Sequence, residues 1–170
     1  MLDLLRARRS IRRYRDEGID PLVIEKLKEA AVRSPTSRGI NPWRFIFVAD
    51  QSRLESLSHA KESGSGFLSG AGLGVVVCAE EGESDVWVED CSISAIILQL
   101  TALSLGLGSC WIQIRNRMHS PTRSSEEYVR EILGLPETMR VECIISLGYP
   151  AETKPPVPAK DIEFEKILSL

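Results

Sequence analysis

The chain has 170 residues, 43% of them hydrophobic and 26% charged, with a formal net charge of −3. That length suits one domain with a sizeable core, and the slight acidity excludes nucleic-acid binding through bulk surface charge. No apolar run approaches the ~20 residues of a membrane span, and Met1 is followed by no leader-like apolar segment, so a cytoplasmic, membrane-free protein is expected.

Leu2, Leu4 and Leu5 suggest a short opening helix, and a run of arginines follows. Asp20 offers an N-cap and Pro21 a first helical residue, after which Leu22, Ile24, Leu27, Ala30 and Ala31 repeat at helical spacing up to Ser34-Pro35. The polar loop from Ser34 to Pro42 leads into WRFIFVA, which reads as a buried strand. Asp50 is expected to cap a helix running toward Ser63, and the glycine-rich GSGFLSGAGLG to be a flexible connection ahead of the strand VVVCA. It is not a phosphate loop, because it precedes a strand and lacks the Walker lysine.

Val86 to Leu105 is the longest helical segment, apolar nearly all round and closed by Gly106 and Gly108. SCWIQI then reads as a strand, SSEEYVREILGLP as a helix capped by Ser124 or Ser125, and MRVECIISLGYP as a further strand. The tail from about residue 151, with Pro155, Pro156 and Pro158, is expected to run extended. This order predicts one α+β domain over residues 1–170, a layered α/β arrangement in which helices outnumber strands.

Cys78, Cys91, Cys110 and Cys143 stand far apart with no C-x-x-C spacing, and the two histidines, His59 and His119, sit in polar surroundings. Reduced core thiols and no metal site are expected.

One segment stands out. ARRSIRRYR places Arg8, Arg9, Arg12, Arg13 and Arg15 around Ser10, with Arg6 just upstream, in an otherwise acidic chain. Planar guanidinium forks grip phosphate bidentately, and Ser10 adds a hydroxyl. By itself the run reads more readily as a solvated basic helix end. A nucleic-acid arm would bring stacking aromatics, and only Tyr14 is close by.

ARRSIRRY, SPTSRGINPWRFIFV, GLGSCWIQ and LGYPAETKPP occur in this order at this spacing. Together they resemble the FMN-dependent nitroreductase family, over nearly the whole chain from about Arg6 to Lys160. The resemblance implies a mainly antiparallel mixed sheet flanked by helices around a long central helix. It implies FMN as cofactor, held at its phosphate and ribityl chain by Arg8, Arg9, Ser10 and Arg12. It implies a homodimer with FMN at the interface, in which Pro35, Thr36, Ser37 and Asn41 reach the cofactor from across that interface. Backbone groups of Trp111, Ile112 and Gln113 would line the ring edge, and Lys154 or Lys160 would reach the phosphate.

The implied reaction is hydride transfer from NADH or NADPH through FMN to a nitroaromatic, quinone or related small acceptor, in ping-pong order, with no catalytic side chain. The alternative is a flavin-binding carrier or sensor without turnover. The chain departs from the family in lacking room for a helical excursion in its middle, and in carrying Gln113, Arg115 and Arg117 after Trp111-Ile112. Those changes bear on the substrate.

Overall fold

The computed structural model describes residues 1–169. Its centre is a four-stranded antiparallel sheet in the order β1-β2-β6-β3, built from β1 (Trp43–Val48), β2 (Leu73–Glu80), β3 (Gly108–Gln113) and β6 (Met139–Gly148). The long β6 and β2 occupy the middle and are buried nearly throughout. Two short strands, β4 (Met118–Ser120) and β5 (Arg123–Ser124), form a separate hairpin that the sequence patterning did not signal.

One face of the sheet receives α2 (Pro21–Val32) and α4 (Trp87–Ser104), which bury Leu27, Ala31, Cys91, Ala95, Leu98 and Ala102 against Val75, Val77, Ile145 and Leu147. The other receives α3 (Gln51–Ser58) and α5 (Ser125–Leu133), whose Leu54, Leu57 and Val129 pack on Val76, Ile112 and Ile144. Twelve leucine and isoleucine side chains of the core are essentially inaccessible, and each fully buried one contributes roughly 1.5–3 kcal/mol of transfer free energy.

The helix signals operate as local chemistry requires. The Asp20 carboxylate accepts from Leu22 N–H at 2.8 Å with Pro21 in the first turn. Ser124 forms a full capping box with Glu127, and Gly134 ends α5 at φ +65°. Three expectations are corrected. The helix after Asp50 stops at Ser58, short of Ser63. The glycine-rich stretch is ordered, with a short helical turn at Gly66–Gly70 and Leu68 fully buried. The β1 strand is an edge strand, only partly buried along most of its length.

All four cysteines are free and buried. Burial pushes the Cys78 thiol up to about 12 and those of Cys91 and Cys143 further in the same direction, so they are inert core thiols.

After α1 (Leu2–Ala7) the arginine segment lies along the outer edge of β3. Ser10 bridges Ser109 in parallel, Ile11 N–H donates to Ser109 O at 2.9 Å, and Tyr14 bridges Pro150. Among the described residues the Ser10 bridge is the one parallel contact in an otherwise antiparallel arrangement. Two glycines make it possible. A Cβ at Gly108 would lie 2.8 Å from Ile11 Cβ, and one at Gly148 would lie 2.8 Å from the Tyr14 ring. The Tyr14 hydroxyl donates to Ile11 O at 2.7 Å and lies 2.7 Å from Ser146 Oγ, and burial raises the phenol's pKa.

Gly148→Ala is therefore expected to cost about 1–3 kcal/mol through overpacking, and Tyr14→Phe about 1 kcal/mol through a lost hydrogen bond. Urea unfolding reads both. Wild-type stability in Gly148→Ala would show that the segment does not depend on this close approach.

Candidate functional site

A concave pocket of about 230 Å³ opens where the arginine segment, the end of α4, the start of β3 and the tail converge. Arg8, Arg9 and Lys154 supply its cations, and Leu103, Leu107 and Ile11 supply apolar wall. Lys154 Nζ donates to Ser10 O at 2.5 Å and pairs with Glu152 at 3.2 Å. Glu152 accepts from Arg12 N–H at 2.6 Å, which holds its carboxyl below the usual range. Arg9 donates to Pro155 O. The tail is thus clamped onto the arginine segment, and Lys154 is brought to the pocket by that clamp.

The expected cofactor residues divide into groups. Arg8 and Arg9 line the pocket, and Arg8 takes part in no ion pair among the described residues. Ser10 is partly buried beside it, joined to Ser109. The Arg12 guanidinium lies over the Phe67 ring, 5.6 Å from its centroid, on the flank of the same edge. Arg13 contributes its carbonyl to Ala151 N–H, and Arg15 pairs with Glu17 and covers Tyr149. Between the two tail lysines the structure distinguishes clearly. Lys154 lines the pocket, whereas Lys160 does not line it and is exposed on the short turn Ala159–Asp161.

Along β3 the pairing decides which backbone groups are free. Ser109 O points outward to Ile11 N–H, and backbone groups alternate along a strand, so Trp111 and Gln113 present theirs to the same outer edge. Ile112 departs from expectation, because its backbone faces its β6 partner Ile144 and its side chain is buried. The Gln113 amide ties this stretch together. Its Oε1 accepts from Trp111 Nε1 at 2.9 Å, and its Nε2 donates to Arg115 O at 3.1 Å and, at 3.4 Å, to Glu142 Oε1.

Pro35, Thr36, Ser37 and Asn41 lie elsewhere. Their loop is folded on itself, with Thr36 Oγ1 donating to Asn41 Oδ1 at 2.8 Å and accepting from Asn41 N–H at 3.1 Å. Arg38 and Asn41 both have positive φ, 55° and 57°, which Asn tolerates better than most residues. The loop is anchored by Asp90, 2% exposed in the first turn of α4, whose carboxylate accepts from Ser37 N–H at 2.9 Å. Sequence reading did not single out Asp90, although an acidic residue at an apolar helix start was its visible signal.

This loop precedes β1, at the opposite edge and opposite end of the sheet from the pocket. From the Ser10 bridge to Trp43 the path crosses four strand spacings and about six residues of strand, on the order of 25 Å. Within one chain the two groups of expected residues do not meet. Trp43 starts β1 half-buried, with its indole N–H buried and lacking an acceptor among the described residues.

The model of the nitroreductase family matches residues 5–64 and 52–149, which together span most of the chain. A curated relative from Archaeoglobus fulgidus, provisionally named NADH dehydrogenase/NAD(P)H nitroreductase, is 38% identical over 157 residues, covering 90% of this chain and 87% of its own. The solved structure of an FMN-dependent nitroreductase from Clostridium difficile superimposes with a TM-score of 0.97 at 42% identity, covering 99% of this chain and 98% of that one. A structure from Desulfovibrio desulfuricans in complex with FMN shares the fold at 23% identity, with a TM-score of 0.78 over 99% of this chain and 96% of that one. With a basic pocket at the β3 edge, the fold of these proteins and a family match across most of its length, the chain belongs to the nitroreductase family.

Proposed function

We propose that the chain is an FMN-dependent oxidoreductase that passes reducing equivalents from NADH or NADPH to a small acceptor, a nitroaromatic or quinone. The observation that carries the reading is the pocket of Arg8, Arg9 and Lys154 at one end of an unpaired β3 edge. The residues fit the cofactor chemically. Convergent cations and a hydroxyl suit a phosphate and its polyol, and a free strand edge suits a planar ring bearing both donors and acceptors. FMN dependence is also what the similar Clostridium difficile protein is named for.

In this reading Arg8 and Lys154 hold the phosphate, with Arg9 fastening the tail beside it, and Ser10 and Arg12 face the ribityl chain. Backbone groups of Trp111 and Gln113 orient the ring edge. Bound FMN supplies the redox chemistry by accepting and returning a hydride, so no side chain need act as nucleophile. Nearby cations and N–H donors favour the added negative charge in a preorganised site. Donor and acceptor use the same open face in turn, which is a ping-pong order.

The site is completed by a second copy of the chain. The loop of Pro35, Thr36, Ser37 and Asn41 lies too far from the pocket of its own chain to share one ligand with it. The exposed surface supports the pairing independently. Ile93 and Ile96 are 40% and 37% exposed along α4, and the tail leaves Val157, Ile162, Phe164 and Ile167 largely uncovered. Apolar surface of this kind marks an interface.

Two outcomes test the reading. Arg8→Ala and Lys154→Met are each expected to weaken FMN retention at least tenfold, about 1.4 kcal/mol, as read by flavin absorbance after gel filtration. Unchanged retention in both would remove the phosphate assignment. In anaerobic titration, NADPH or NADH is expected to bleach the bound flavin. Flavin that stays oxidised with both donors would favour a carrier or sensor without turnover.

A further inference from the structure

Glu142 is a carboxylate inside the sheet. The register places Val77 opposite Cys143 and Cys78 opposite Val141, so Glu142 is the extra residue of a β-bulge, a device that re-aims a side chain and recurs beside active sites. The residue is 4% exposed. Its Oε1 lies 3.4 Å from Gln113 Nε2, while its Oε2 is buried with no hydrogen-bond partner among the described residues. The nearest cation, Arg115, reaches only to 4.0 Å, with its guanidinium over the Trp87 ring. Leaving a buried oxygen unpartnered is costly, and more so when it is charged, so the feature asks for an explanation.

The connection runs through Gln113. Its amide is shared among Glu142, Arg115 O and the Trp111 indole, and the backbone groups of Trp111 and Gln113 form the outer edge assigned above to the cofactor ring. Whatever changes at Glu142 is felt at that edge in two ways, through the hydrogen bonds of the amide and through charge.

We infer that Glu142 is a positioning residue that sets the charge behind the Trp111–Gln113 edge, neutral when it favours reduction of the cofactor and ionised when it opposes it. The inference rests on the FMN reading. Reduction adds negative charge at that edge, and a buried carboxylate resists it across a medium of low dielectric. A neutral carboxyl does not.

Burial raises the pKa of Glu142, while Gln113 and Arg115 oppose the shift and Glu126 on α5 and Glu89 on α4 add to it. The thiols of Cys91 and Cys143 also face it and are themselves held neutral. Because the folded-state pKa is raised, the neutral form predominates below it, and reduction becomes harder as pH rises through it. The same shift makes the contribution of Glu142 to stability greatest below the ordinary glutamate pKa and lost as pH rises through the folded value.

The test compares the wild type with Glu142→Gln, a permanently neutral isostere, by measuring the midpoint potential of bound FMN across pH. The two are expected to coincide at acid pH. Above the Glu142 titration the wild type is expected to fall below the variant by about tenfold in the equilibrium constant of reduction, ~30 mV for a two-electron couple. Arg115→Leu removes the neighbouring cation and is expected to move the inflection to higher pH. In the flavin-free protein, carbon-13 NMR of labelled glutamate carboxyls is expected to show a resonance titrating above the ordinary glutamate range that disappears in Glu142→Gln. Ordinary titration of Glu142, or potentials that coincide or run parallel at every pH, would overturn the inference while leaving the FMN reading intact. A wild-type chain that retains no FMN would overturn both.

Discussion

The structure turns on the docking of one irregular segment against one strand edge. Ile11 N–H bonds to Ser109 O, and Gly108 and Gly148 leave the room that Ile11 and Tyr14 fill. Without that approach the guanidinium groups of Arg8 and Arg9 would have no fixed direction. With it they open onto a pocket whose remaining cation, Lys154, arrives from the far end of the chain. The clamp is reciprocal, since Arg12 N–H holds Glu152, Lys154 holds Ser10 O, and Arg9 holds Pro155 O. Single hydrogen bonds of this kind contribute little net stability. Their role is geometric, converting two otherwise mobile segments into one surface.

The same docking has a second consequence. By covering β3 only at its Ser109 end, the segment leaves the outer backbone groups of Trp111 and Gln113 without a strand partner among the described residues. An unpaired edge is a liability in a sheet unless something occupies it. In the proposed reading a planar ligand bearing both donors and acceptors would satisfy it, with the bulged Glu142 behind that edge setting the local charge. Residues that bind, orient and tune are thereby ranged along a single strand and its neighbour.

Local chemistry was well legible in the sequence. Asp20-Pro21 and the Ser124-Ser125 pair announce their helices because capping depends on residues within one turn. The long α4 was visible because its apolar run outlasts any strand. The site was legible mainly through four segments read together, since the arginine run taken by itself reads more readily as a solvated helix end. What escaped depends on distant pairing. The bulge at Glu142 exists only in the register of β6 against β2, Asp90 gains its role only from the loop it anchors, and Lys154 is distinguished from Lys160 only by the path of the tail. Ile112 was misassigned for the same reason, because strand alternation assigns its backbone to β6 once Ser109 is known to face outward.

Mixed dimers probe whether a flavin site is assembled from the arginine pocket of one chain and the loop of residues 35–41 of another. One parent carries Arg8→Ala with Lys154→Met, the other Thr36→Ala with Asn41→Ala, and each parent homodimer has both sites damaged. Co-expressed and purified as a mixed dimer with two different tags, they reconstitute one site with an intact pocket and an intact loop. Flavin binding is expected to return in the mixed dimer to half the wild-type stoichiometry. Flavin content no greater than in the parents, or a chain that elutes as a flavin-loaded monomer, would contradict assembly of the site from two chains.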